Sequence, residues 1–193
     1  PCLRLFGGFA IDRPGQSGDG LAYEKGRALL AYVAVETGIV HTRKVLAGMF
    51  WPNHAPTAAL ANLRLVLLNL RQTLDAAGLP LLQIDREAVR LDPAVLRRVD
   101  TALLSAALGS VGGQIPPTID DASLRMLEAA ARLYRGELLA GFSLPECPDF
   151  EVWRDDAFQV PSAVDHIVDG SILQPTNLIG TDYPYSDGAR TLQ

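Results

Sequence analysis

The strongest constraint on the fold sits in the middle of the chain. Leu63, Leu67, Leu70 and Leu74 follow one another at intervals of 4, 3 and 4 residues, so at about 100° per residue they line one side of a helix. That stripe needs a core to cover it, which rules out an all-β chain and sets a helix over about 58–77 against other elements. Gly78 follows directly and supplies the left-handed residue that closes such a helix.

Neighbouring segments provide the cover. Thr42 reads as an N-cap, because its hydroxyl can accept from the free amides of the turn it opens. The helix it starts runs through Val45, Leu46 and Met49 to Phe50 and Trp51, and 52–57 form a loop before the long helix. After it, Leu82, Ile84, Val89 and Leu91 sit on either side of Asp85-Arg86-Glu87 as in a hairpin. Upstream, 3–6 and 9–11 are short apolar runs flanking Gly7-Gly8, a first hairpin; 13–20 read as a loop and Leu21-Ala22-Tyr23 as a third strand. Leu29, Leu30, Tyr32, Val33 and Ala34 suit a helix over 24–36, closed by Gly38. A small sheet, two helices, a longer helix and a hairpin, in that order, make a winged helix-turn-helix.

Past Asp92-Pro93 the strand pattern ends. Helices are predicted over 99–108 and over 120–134, the latter with Leu124, Leu127, Ala131 and Tyr134 on one face, around a Gly/Pro loop at 109–119. A short helical turn follows at 136–142 and one more helix over 145–156. From 157 to 193 the helical period disappears, and Pro161, Pro175 and Pro184 punctuate a polar segment. The expected division is 1–96, 97–156 and 157–193, in an α+β fold with small antiparallel sheets followed by a partial all-α domain.

Charge divides along the same line. Residues 1–96 hold 10 Lys+Arg against 8 Asp+Glu, a net of +2, whereas 97–193 hold 7 against 14, a net of −7. The overall −5 therefore hides two parts with different jobs. With 48% hydrophobic and 20% charged residues, the chain is neither fibrous nor wholly disordered. No apolar run reaches the roughly 18 residues of a membrane helix. The first eight residues lack the basic start and apolar stretch of a signal peptide, and Pro1 in place of Met is expected of a trimmed or processed start. Cys2 and Cys147 make neither a metal pair nor a disulfide framework, as expected of unpaired thiols in the cytoplasm.

Several runs together carry a resemblance. Leu3-Arg4-Leu5-Phe6-Gly7-Gly8-Phe9, Lys25-Gly26-Arg27-Ala28-Leu29-Leu30-Ala31-Tyr32, Leu46-Ala47-Gly48-Met49-Phe50-Trp51-Pro52, and Asn62-Leu63-Arg64 with Leu70-Arg71 resemble the OmpR-type winged helix of SARP-like bacterial regulators. Leu133-Tyr134-Arg135-Gly136-Glu137-Leu138-Leu139-Ala140-Gly141, with Phe150 and Trp153, resembles the start of the TPR-like bacterial transcriptional activator domain that follows it. The resemblance spans about 3–154. It implies promoter DNA as partner for the first part and dimerisation or signal reception for the second. It also implies a cytoplasmic protein, a homodimer or tandem binder, with RNA polymerase as a further partner near the loop 51–57. Family members continue past Trp153 with further helical pairs; 157–193 does not.

On the side of the long helix away from its leucine stripe lie Arg64, Leu65, Leu68, Asn69, Gln72 and Asp75. Arg64, Asn69 and Gln72 are the candidate base contacts: Arg pairs bidentately with guanine, Asn and Gln with adenine. Thr42, Arg43, Lys44 and Arg71, with Arg86 and Arg90 of the hairpin, are the candidate backbone contacts. Asp85 and Glu87 beside Arg86 oppose a phosphate, and the start of a capped, solvated helix is the plainer reading of Thr42-Arg43-Lys44. Leu65 and Leu68, where the family tends to carry polar residues, offer only apolar contact, to a thymine methyl or to a protein partner; Trp51 is either part of that partner surface or a core anchor.

No enzyme signature, P-loop or metal spacing occurs, so no catalytic role and no cofactor are expected. Gly15, Gly18 and Gly20 form a loop between strands, His41, His54 and His166 lack ligand spacing, and Asp120-Asp121 and Asp155-Asp156 read as helix starts. Two alternatives stay open: a winged helix used as a protein-protein or dimerisation module without DNA binding, and a regulatory domain severed from a larger protein such as an ATPase or cyclase.

Overall fold

The computed structural model describes residues 1–13, 16–18, 21, 23–110 and 121–157. Three antiparallel strands open the chain in the order β1 (Cys2–Arg4), β2 (Ala10–Arg13), β3 (Gln16–Gly18), with Leu3 opposite Ile11 and Ile11 opposite Gly18. The third strand thus falls inside the segment expected as a loop. An edge strand is held by backbone pairing, and a Gln-Ser-Gly composition gives no sign of it. Leu21 is instead a buried link, and Tyr23 occupies the cap position of α1 (Glu24–Val35); Ala22 lies outside the described residues. α1 buries Ala28, Leu29, Leu30, Ala31, Val33 and Ala34, so it is a central helix covered on several sides.

The winged unit follows as β4 (His41–Thr42), α2 (Arg43–Phe50), α3 (Pro56–Ala76), β5 (Leu82–Ile84) and β6 (Ala88–Leu91). Its antiparallel sheet runs β4-β6-β5, with His41 opposite Val89 and Gln83 opposite Arg90. The Thr42 hydroxyl accepts from Val45 N at 3.4 Å, as an N-cap does. α3 begins slightly before the expected 58, because Pro56 fits a first turn where no amide partner is needed. At its other end Gly78 turns left-handed (φ 67°), while Leu79 N donates to Leu74 O at 2.9 Å and Gly78 N to Asp75 O at 3.0 Å. Ala59, Leu63, Leu67, Leu70 and Leu74 are at most 3% exposed.

Beyond the wing, Pro93–Arg98 form a 3-10 turn, followed by α4 (Asp100–Ser110), α5 (Asp121–Ala131) and α6 (Pro148–Asp156). Most of the expected loop 109–119 and the tail from 158 lie outside the described residues. In place of the expected helical turn at 136–142, Leu138 forms a single bridge and 139–141 a turn. Leu139 is left-handed (φ 52°) and Phe142 N donates to Leu139 O at 2.9 Å, and together these residues clamp the first hairpin. Leu138 bridges Phe6, Leu139 N donates to Leu5 O at 2.8 Å, Gly7 N to Glu137 O at 2.9 Å and Ala140 N to Gly7 O at 2.7 Å. The open backbone of the first hairpin outweighs the local helical preference of Glu137-Leu138-Leu139-Ala140. Gly7 (φ 73°) is required twice, for its turn and because a Cβ there would stand 3.1 Å from the Arg135 carbonyl.

The hydrophobic core is continuous across residue 96. Val99, Leu138, Leu139, Leu144, Cys147 and Phe150 belong to the same buried cluster as the leucines of α1 and α3. Asp100, 6% exposed, fastens the two parts: its carboxylate accepts from Leu5 N (3.0 and 2.8 Å), Phe6 N (3.0 Å) and Thr101 N (2.8 Å). On the other side α6 packs on α2, with the Phe50 and Phe150 rings 5.6 Å apart and Trp153 Nε1 donating to Glu36 Oε1 at 2.7 Å.

Candidate nucleic-acid interface

α3 is half buried by design of its sequence, and its outer side is open among the described residues. Leu65 is 57% and Leu68 52% exposed, and Ala58, Ala61, Arg64, Arg71, Gln72 and Asp75 are exposed with them. Successive steps of about 100° put Leu65, Leu68 and Gln72 along the middle of this face, Arg64 and Arg71 along one flank and Asn69 along the other. Of the three base-contact candidates, Arg64 and Gln72 therefore reach outward. Asn69 lines a cavity of about 320 Å³ together with Gln72, Tyr23, Gly26 and Thr73, but unlike Gln72 it is half-buried, so it stands at the edge of the face rather than in it. Arg71 lies 3.7 Å from Asp75 one turn on, both well exposed, a pair weak enough to leave the guanidinium available to a phosphate.

At the start of α2 the geometry departs from the simplest phosphate site. Arg43 N already donates to Glu87 O at 2.8 Å and Val45 N to the Thr42 hydroxyl, so two of the first three amides are occupied within the protein. Side chains carry what attraction remains here: Lys44 is exposed, and Arg43 is partly buried, its Nε lacking a hydrogen-bond partner among the described residues. The Arg43–Glu87 bond also ties the helix start to the turn of the wing.

In that turn Asp85 does structural work. Its Oδ1 accepts from Glu87 N at 2.9 Å and Ala88 N at 2.7 Å, and these amides hold its carboxyl below the ordinary carboxylate range. Arg86 is exposed at the tip. Arg90 is exposed on β6, its Nε donating to Gln83 Oε1 across the strand pair at 2.7 Å.

Three cations upstream of the winged unit are engaged elsewhere. Arg4 pairs with Asp12 at 3.8 Å. Lys25 donates to Phe50 O at 2.8 Å, lies 3.7 Å from Glu146 and stands over the Trp51 ring. Arg27 stacks on Phe142. Trp51 itself is 6% exposed and packed in the core, which removes it from any partner surface: its ring is covered by Phe50 and Lys25.

Other sequence candidates resolve more simply. His54 is an exposed loop residue, while His41 is buried against Tyr32. Gly18 is in β3, and Gly15, Gly20, Asp120 and His166 lie outside the described residues. Asp121 opens α5 as expected, but Asp155 and Asp156 end α6 rather than start a helix, and Asp155 pairs with Arg154 at 2.8 Å. No group of three or more His, Cys, Asp or Glu is arranged for a metal among the described residues. Nor is any described helix long and apolar enough to cross a membrane. Sequence reading missed Asp100, whose role depends on residues some 95 positions away.

Neither a protein-family model nor a curated protein matches the chain. Among solved structures, its fold is similar to Mycobacterium tuberculosis EmbR in complex with a low-affinity phosphopeptide, at 19% identity and a TM-score of 0.63, over 89% of this chain and 45% of that one. The chain thus spans less than half the length of the EmbR chain. What this likeness shows is the fold alone: an α+β arrangement of two small antiparallel sheets with helices packed against them.

Proposed function

We propose that the chain is a sequence-specific DNA-binding transcriptional regulator that sets α3 in the major groove of promoter DNA. The observation that carries this reading is the open outer face of α3, with Arg64 and Gln72 exposed on it. Lys44 of α2, Arg71 of α3 and Arg86 and Arg90 of the β5–β6 hairpin are exposed, and Arg43 at the start of α2 is partly so. Arg64 and Gln72 read base edges, Asn69 serves the margin, and these cations hold phosphates. The acidic second half faces away from the duplex. A regulator of this design works without catalysis or cofactor, in the cytoplasm, and gains affinity by tandem or paired binding to repeated sites, with RNA polymerase as a further partner.

Titration against promoter and random duplexes at several salt concentrations tests it. Five phosphate contacts, one for each of these cations, predict an affinity loss of about five-hundredfold between about 50 and 200 mM salt; a flat response, or no binding at low salt, retires the reading. Arg64→Ala should cost about 1–3 kcal/mol on the preferred sequence and little on random duplexes. Equal losses on both would remove Arg64 as a base reader.

A further inference from the structure

Two large apolar side chains occupy the middle of the reading face, and neither can donate or accept a hydrogen bond. Leu65 and Leu68 are 57% and 52% exposed, three residues and therefore about 4.5 Å apart along the helix axis. Every base edge in the major groove is read through donors and acceptors except at one group, the C5 methyl of thymine. Stacked bases on one strand rise about 3.4 Å, so two leucines at this spacing meet methyls one or two steps apart. Gln72 lies one turn beyond Leu68 on the same face and suits an adjacent adenine.

Charge decides between a duplex and an apolar protein as occupant. The leucines are bordered by Arg64 and Arg71, and the carboxylate nearest them on α3, Asp75, is held 3.7 Å from Arg71. A protein partner burying the leucines must also desolvate those guanidinium groups, whereas a polyanion meets both. We infer that Leu65 and Leu68 are specificity-determining residues that read thymine methyl groups, so the preferred sites carry paired thymines opposite the middle of α3. This rests on the DNA-reading role proposed above.

The test uses the full chain and randomised duplexes selected for binding, then amplified with either dTTP or dUTP; uracil differs from thymine only by the methyl. Binding of the thymine form should be tighter by about fourfold for each methyl contacted. The difference should collapse in the Leu65→Ala/Leu68→Ala variant while its salt dependence and thermal midpoint stay unchanged. Equal affinity for both forms, with salt-dependent binding intact, overturns this inference and leaves the DNA reading standing. Absence of binding to any duplex at low salt overturns both. A dimer seen by sedimentation and lost in the double variant also overturns the inference, assigning the leucines to a protein contact.

Discussion

α3 carries leucines on both sides, and the two sets have opposite consequences. Leu63, Leu67, Leu70 and Leu74 are at most 2% exposed and belong to the core shared with α1 and the C-terminal helices, whereas Leu65 and Leu68 are more than half exposed. Helix propensity is the same for both sets, so it separates nothing. The inner set stabilises by removal from water, at about 1.5–3 kcal/mol for each side chain. The outer set leaves the fold's stability almost untouched, and its presence bears on what the helix meets. The comparison breaks most easily at one adjacent pair. Leu67→Ala should lower unfolding stability by about 2–5 kcal/mol through lost burial and the cavity left behind. Leu68→Ala should stay within about 0.5 kcal/mol, and urea titrations of the two variants should show the contrast. A comparable loss in both would mean that the outer leucine is covered in solution.

How far the sequence discloses this arrangement depends on the range of the forces involved. The inner stripe, the Thr42 cap and the Gly78 stop are local, and each residue announces its role through spacing or side-chain chemistry. The strand at Gln16–Gly18 and the clamp at Glu137–Ala140 form through backbone hydrogen bonds to distant partners, for which no side chain is diagnostic. Arg64 and Gln72 were legible as outward-facing from helical phase alone. The half-burial of Asn69 depends on where α1 packs, and the two occupied amides at the start of α2 depend on the wing turn. Asp85 shows the same limit: the sequence suggests a charge that repels phosphate, while the fold turns its carboxylate onto two amides.

A second contrast sharpens the first. Polar groups on the outer face border solvent, but Asp100 has its carboxylate enclosed by the amides of Leu5, Phe6 and Thr101. Burial raises its pKa against the pull of those amides. Asp100→Ala removes the acceptor and leaves buried amides without a partner, a loss expected at about 3 kcal/mol. Because Asp100 joins the first hairpin to α4, hydrogen exchange should speed up at Leu5 and Phe6 before it does in α3. Uniform acceleration throughout would show that the hairpin and α3 open as one unit.

The smallest expected effect concerns pH, and it falls on the sheet that positions the wing. His41 is 5% exposed, 4.9 Å from the Tyr32 ring, with no partner for its Nε2 among the described residues. Burial holds its imidazole below the ordinary value near 6.5, partly offset by the hydrogen bond to the Glu36 backbone and by the Glu36 charge. The folded protein therefore disfavours the protonated ring, while the unfolded chain takes up the proton near its ordinary pKa. Stability from this group is complete above that value and declines as pH falls below it, because there the unfolded state binds more protons. Urea midpoints should drop between about pH 7 and 5 in the parent protein. His41→Gln, which cannot titrate, should flatten the part of that slope due to this residue, whereas His54→Gln at an exposed loop position should leave it unchanged. An unaltered slope in the His41 variant would place the pH sensitivity outside the β4–β6 pairing that holds the wing against α2.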